Sequence, residues 1–270
     1  MKISSDELYG ELWAEDPSAL EVELGRSLEP RATTMLYDEV ARLGVGPENI
    51  VLDAGARDAV HAIELVQRLG CRAIAVDLVP LHVDSARERV RAAGLDDRIE
   101  VVQAGIESLP LEDASIDYVW CRDVLNHVEL DRSLREFARV LRPGGSLLVY
   151  QTFAERACEP EEAQRLFAAT ASVAQNMSAQ FFETTAREAG FEIVGTERIQ
   201  GEWRERMLED GKWDVAADLL ALSRLNRRER DLAERHGGAR VEAVRGDLLW
   251  GIYQLLGKMC PTMYVLRRPA

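Results

Sequence analysis

"NIVLDAGARDAVHAIELVQRLGCRAIAVD", Asn49 to Asp77, reads as strand, tight turn, helix and strand. "NIVLD" is a short apolar run without helical period, the pattern of a strand covered on both faces. Ala59, Ala62, Ile63, Val66 and Leu69 share one stripe of the helix that follows, and Gly70 stops it. "RAIAVD" is the second strand. A strand, a helix and a second parallel strand make a right-handed crossover unit. Ligands of such sheets sit beyond the carboxyl ends of the strands. The turn after Asp53 and the carboxylate of Asp77 therefore face the expected site.

The same alternation continues outward from this unit. "PLHVDSARERVRAAGL" predicts a helix stopped by Gly94, "IEVVQ" a third strand and "IDYVWC" a fourth. Leu130, Leu134, Phe137 and Leu141 then repeat at steps of four, three and four, the buried stripe of a helix. "RPGG" breaks it, and "SLLVY" is a fifth strand. Strands alternating with helices imply α/β architecture: a Rossmann-like, mostly parallel sheet with helices on both faces. Beyond it the pattern changes. Residues 153–183 read as a helical insertion, "FEIVGTERI" as a strand, 200–260 as a long, mainly helical cap and "PTMYVLRR" as a last strand. Residues 1–48 read as an N-terminal helical cap. The core is then 49–199 with 261–270.

Of the 270 residues, 47% are hydrophobic and 30% charged, as in an ordinary globular protein. The formal net charge of -14 repels polyphosphate, so nucleic acid and anionic membranes are not expected partners. The acidic N-terminus is unlike a signal peptide, and no stretch has the length of a membrane span. Four cysteines without a C-x-x-C pair fit reduced thiols in a cytoplasm. The four histidines lack metal-ligand spacing, so no metal is expected. A monomer or a homodimer is equally compatible.

A dinucleotide loop requires G-x-G-x-x-G, but Arg57 and Val60 stand where its second and third glycines would fall. Other motifs fit in order: "VLDAG" (51–55), "VDLV" (76–79), "ESLPLEDASIDYV" (107–119), "NHV" (126–128) and "RVLRPGG" (139–145). In this ordered set the chain resembles the class I S-adenosylmethionine-dependent methyltransferases, closest to their small-molecule branch. The resemblance covers 49–150 well and 185–199 and 261–268 loosely. It implies a seven-stranded sheet with an antiparallel last strand, and S-adenosylmethionine as cofactor. It points to Asp53, Gly55, Ala56, Arg57, Asp77, Leu78, Gly105, Ile106, Glu107 and Arg122 as cofactor-binding residues.

Departures accompany the likeness. Arg57 and Ala59 replace glycines of the loop, and Ala104-Gly105 stands where the family often has Gly-Asp. Arg57 either reaches the cofactor's carboxylate as a charge-assisted pair or is a tolerated turn residue. Asp77 suits the two hydroxyls of a ribose, and Asp58 is expected to cap the helix that follows the loop. Methyl transfer is in-line displacement, so alignment comes first and a base is required only if the acceptor loses a proton. His127, in "CRDVLNHV", is the candidate base, or else a packing residue of that loop.

Tyr9, Trp13, Met177, Phe181 and Trp203, with other aromatics outside the core, are expected to line a roomy cap for a hydrophobic or aromatic acceptor. The function expected is methyl transfer to such a small molecule, in secondary metabolism. The alternatives are a cyclisation or rearrangement with the cofactor as scaffold, or a non-catalytic cofactor-binding relative.

Overall fold

A computed structural model of the chain describes residues 3–8 and 18–270; Tyr9 and Trp13 lie outside the described residues. The seven strands are β1 (Ile50–Ala54), β2 (Arg72–Asp77), β3 (Ile99–Gln103), β4 (Ile116–Arg122), β5 (Leu141–Ala154), β6 (Glu192–Arg198) and β7 (Met259–Arg267). They form one sheet in the order β3-β2-β1-β4-β5-β7-β6. The first five are parallel, and β7 runs antiparallel to both β5 and β6. The seven-stranded sheet with an antiparallel β7 is the one the resemblance implies. The order reverses beside β1, which opens a crevice at the carboxyl ends of β1 and β4.

Alternation along the strands divides the core. Val51, Ala73, Ala75 and Trp120 face a cluster built with α2 (Met35–Arg42), α3 (Val60–Leu69) and α4 (Pro80–Ala92). Leu52, Ala54, Val119 and Cys121 face the other side, where α5 (Leu130–Val140) and α7 (Ala179–Glu188) pack through Leu134, Phe137 and Phe182. Residues on adjacent strand positions thus serve opposite faces, which is why these strands read as continuous apolar runs.

A third cluster lies in the cap. There α6 (Pro160–Ala169) meets α9 (Val215–Arg227) and α11 (Gly238–Leu255) through Leu166, Phe167, Met177, Leu222, Ile252 and Tyr253. Gly246 lets α11 approach α6 closely, since a Cβ there would stand 2.8 Å from the Ala169 Cβ. Two shorter helices, α8 (Glu202–Glu209) and α10 (Glu229–His236), complete it, and α1 (Ser18–Leu24) begins the described N-terminal part. Arg31 ties that part to the cap, with Nε and Nη2 donating to Glu202 at 2.7 and 2.6 Å. Helix α5 ends at Val140, so Leu141, expected on its stripe, instead opens β5, which contains "RPGG" and is longer than "SLLVY". The long pairing with β7 extends it.

Candidate active site

The turn after β1 keeps the backbone shape of a glycine-rich loop with one glycine. Gly55 has φ 75°, and a Cβ there would stand 2.3 Å from the Val124 Cγ2. Arg57 and Ala59 hold φ of 51° and 59°, a left-handed conformation that favours glycine. The geometry survives substitution because flanking contacts impose it. Arg57 N–H donates to the Asp77 Oδ2 at 2.8 Å, and Ala59 N–H donates to the Ala56 carbonyl at 2.8 Å. Asp53 lies beneath the turn, 2% exposed, accepting from the Ala62 N–H at 3.0 Å. Burial pushes its carboxyl up to about 7. Asp53 is therefore the anchor of α3 and does not line the cleft. Asp58 does not cap α3, whose N-cap is Ala59; it pairs with Arg89 at 2.8 Å.

A cleft of about 860 Å³ opens above this turn. Gly55, Ala56, Arg57, Asp77, Leu78, Gly105, Ile106, Glu107, Arg122 and His127 all line it. Nine of the ten expected cofactor residues thus converge, together with the candidate base. At the β2 end, Asp77 also accepts from the Val79 N–H at 2.9 Å and contacts His82 Nδ1 at 3.1 Å. It organises the turn as well as facing the cleft. The carboxylate absent from 104–105 is offered by Glu107, whose Oε2 would stand 3.2 Å from a Cβ on Gly105.

Arg122, at the β4 end, is half-buried. Its guanidinium lies over Tyr150 and Trp203, 5.4 and 5.6 Å from their centroids, and those rings stack at 4.5 Å. Its Nη1 lies 3.0 Å from His61 Nε2, while His61 Nδ1 lies 2.6 Å from the Tyr37 hydroxyl. Burial, and the Arg122 charge after it, lower the His61 pKa to about 4, so the imidazole is neutral and its Nε2 accepts from Arg122. Arg122 forms no salt bridge among the described residues. A rigidly held cation with no carboxylate partner fits a cofactor that brings its own carboxylate. His61, Tyr37 and Tyr150 were missed by sequence reading. Only the apolar neighbours of His61 marked its face as buried.

A second cavity, of about 460 Å³, adjoins the first. Arg57, Asp123 and His127 line both, and Asn126, Ala169, Thr170, Ala243, Asp247 and Trp250 complete the second. Asp123 also has a left-handed backbone, φ 53°, and burial raises its carboxyl to about 6. The loop that carries these groups is held by a buried amide pair. Gln151 Nε2 donates to the Asn176 carbonyl at 2.7 Å. Asn176 Nδ2 in turn donates to the carbonyls of Leu125 and Val128 at 2.6 and 2.9 Å.

The expected acceptor residues fare differently. Met177 is buried in the cap cluster, Trp203 is buried beneath Arg122, and Phe181 is partly exposed on α7; none lines either cavity. Their side chains satisfy the apolar faces of their own elements, a demand that composition cannot separate from ligand binding. Trp250 is the aromatic that reaches the second cavity. Segments 153–183 and 200–260 supply α6 and α11 to that cavity, whereas the cofactor-sized cleft is lined only by residues between 55 and 128. No lining residue of either cavity comes from the described residues before 49. Among the described residues, no helix is long and apolar enough to cross a membrane, and no cluster of three or more metal-ligating side chains occurs.

Residues 52–149 match the family model described as a methyltransferase domain. The chain is 32% identical over 151 residues to a sarcosine/dimethylglycine N-methyltransferase of Halorhodospira halochloris, covering 56% of this chain and 54% of that one. It is 29% identical over 204 residues to a 27-O-demethylrifamycin SV methyltransferase of Amycolatopsis mediterranei, covering 72% and 71%. The solved structure of the [4+2]-cyclase SpnF shares the fold, with a TM-score of 0.67 at 22% identity over 87% of this chain and 80% of that one. The chain spans about half the length of the first of these relatives. With its seven-stranded sheet and its ordered motifs, the chain carries a methyltransferase domain over residues 52–149 and has the fold of the class I S-adenosylmethionine-dependent methyltransferases.

Proposed function

We propose that this protein binds S-adenosylmethionine in the larger cleft and directs its methyl group to a small molecule in the adjoining cavity. The observation that carries the reading is that Arg57, Asp123 and His127 line both cavities. A methyl group held at that seam faces the acceptor without crossing solvent. When bound, the cofactor supplies an electrophilic methyl carbon on a sulfonium; the protein supplies alignment.

In this reading Asp77 accepts the ribose hydroxyls, Arg122 pairs with the amino-acid carboxylate, and Leu78, Ile106 and Glu107 surround the adenine. Gly55, Ala56 and Gly105 give the cofactor close access to backbone. Arg57, exposed and at the seam, stands nearer the acceptor side than its place in the glycine loop implied. His127 Nδ1 lies 3.1 Å from the Ala171 carbonyl. That contact fixes its ring and leaves Nε2 to face the acceptor.

The relatives methylate nitrogen and oxygen atoms, as their names state, so they bracket the chemistry and leave the acceptor open. Of the hydrophobic or aromatic acceptor expected from the cap, Trp250 is the aromatic support. Secondary metabolism and a cytoplasmic setting remain part of the proposal. The test is calorimetric titration with S-adenosylmethionine, followed by detection of S-adenosylhomocysteine across an acceptor panel. Binding with turnover supports the reading. Absence of binding overturns it. Binding without turnover on any acceptor supports the scaffold role, to which the fold shared with a [4+2]-cyclase is relevant.

A further inference from the structure

The second cavity has a composition that narrows what can enter it. Asn126 is fully buried, yet neither its Nδ2 nor its Oδ1 has a hydrogen-bond partner among the described residues, and it lines this cavity. A buried amide without partners destabilises the fold that holds it. Such a group persists where a ligand completes it. Two carboxylates line the same space, Asp123 from the loop after β4 and Asp247 from α11. Trp250 stands three residues after Asp247, so acid and indole share one helical face. An acid beside an aromatic ring is the arrangement that receives an organic cation.

The cationic groups nearby do not cancel this. Arg122 is engaged with His61 and its two aromatic rings. Arg204 donates from Nε to Gln254 at 2.8 Å and lies 5.4 Å from the Trp213 centroid. Neither lines the cavity. Arg57 does, on the side shared with the cofactor cleft. Asp123 accepts from the Thr152 hydroxyl at 3.4 Å and feels the charges of Arg122 and Arg204 at a distance, but it forms no salt bridge among the described residues, so its carboxylate is open to a cation in the cavity.

Resting on the methyltransferase reading above, we propose that the second cavity takes an amine acceptor, held by Asp247, Trp250 and the Asn126 amide with Asp123 beside the reacting nitrogen. The chemistry agrees with the lining. A neutral amine forms the new N–C bond from its lone pair and becomes an ammonium. The donor's C–S bond breaks toward sulfur, which ends as a neutral thioether. An amine held as its ammonium first gives up a proton to solvent, which frees the lone pair; positive charge then passes from donor to acceptor beside Asp123. A phenolate or carboxylate acceptor brings negative charge against two carboxylates.

The test uses the full chain saturated with S-adenosylhomocysteine, whose own binding is measured first. Benzylamine, benzyl alcohol and benzoate then serve as cationic, neutral and anionic probes of one shape, titrated by calorimetry. Benzylamine should bind at least about 10-fold more tightly than benzoate, with benzyl alcohol between them. Asp247→Asn should erase most of that preference and leave benzyl alcohol within about twofold. Asn126→Leu should weaken benzylamine while raising the unfolding midpoint, because it removes an unpartnered buried amide. The proposal is overturned if benzoate matches or exceeds benzylamine, if none of the three probes binds, or if Asp247→Asn leaves the order intact. It also falls if Asn126→Leu binds benzylamine normally and unfolds earlier. Failure of S-adenosylhomocysteine itself to bind would instead overturn the methyltransferase reading.

Discussion

Ala59 carries a left-handed backbone at a position the chain has not given to glycine. That conformation costs an L-residue about 1–2 kcal/mol, while glycine loses about 0.4–1 kcal/mol more entropy on folding. Ala59→Gly should therefore stabilise the protein by about 0.5–1 kcal/mol, read as a higher urea midpoint at unchanged slope. An equal or lower midpoint would mean that the buried Ala59 methyl contributes more packing than the strain removes. Asp77 has two tasks in this turn, ordering the Arg57 and Val79 amides and facing the cleft. Hydrogen bonds to a charged group are worth roughly 1.5–3 kcal/mol. Asp77→Ala should thus weaken S-adenosylmethionine binding by about 10- to 150-fold, at about 1.4 kcal/mol per decade. A folded variant with affinity within about threefold of wild type would place the ribose elsewhere. Arg122→Gln, titrated alongside, should weaken the cofactor as well.

Two elements depend on single buried polar side chains. Helix α3 is tethered to β1 by Asp53, whose carboxyl is raised to about 7 by burial. In the unfolded chain an aspartic acid titrates near 3.9. Between about pH 4 and 7 the folded protein thus holds a proton that the unfolded chain has lost. Stability from this group falls as pH rises through that window and is level above it. Asp53→Asn keeps an acceptor for Ala62 and removes the titration. Its stability relative to wild type should climb from pH 4 to pH 7 and then stay flat, as followed by chemical unfolding at each pH. A difference independent of pH would show that Asp53 is ionised in the folded state across the range. The loop Leu125–His127 depends on Asn176 in the same way. Asn176→Leu strands two buried carbonyls and should cost about 2–4 kcal/mol, with a rise in the acceptor KM larger than any change in cofactor affinity.

Across the whole molecule, cofactor and acceptor are divided between core and cap. The larger cleft is lined only by residues of the β1–β4 region, while α6 and α11 wall the second cavity. Gly246 is a point of close approach between those two helices. Gly246→Val forces them apart, so acceptor turnover should fall at least about 10-fold while S-adenosylhomocysteine affinity stays within about twofold. A parallel loss of both would show that the cap also shapes the cofactor cleft. This division explains why half of the candidate site was legible in sequence. Asp77, Gly55 and Gly105 lie at strand ends, and the period of the strands announces where those ends are. Asn126, Asp247 and Trp250 lie on helices or turns whose local pattern carries no mark of the space they share.

By itself the sequence determined the sheet, the strand ends and the loop that faces the cofactor, because those follow from local periodicity and from motifs close together in the chain. It also placed Arg122 at the cleft, though not the neutral His61 and the stacked Tyr150 and Trp203 that hold it, which come from three separate elements. The tertiary structure alone decided which aromatics are core and which is wall. Met177 and Trp203 are equivalent to Trp250 in hydrophobicity and differ in what packs on them. It alone decided that Asp53 faces inward and Asp77 outward, although both are aspartates at the ends of adjacent parallel strands. The physical reason is that burial is a property of the assembled neighbours, and those neighbours come from residues far away in the chain.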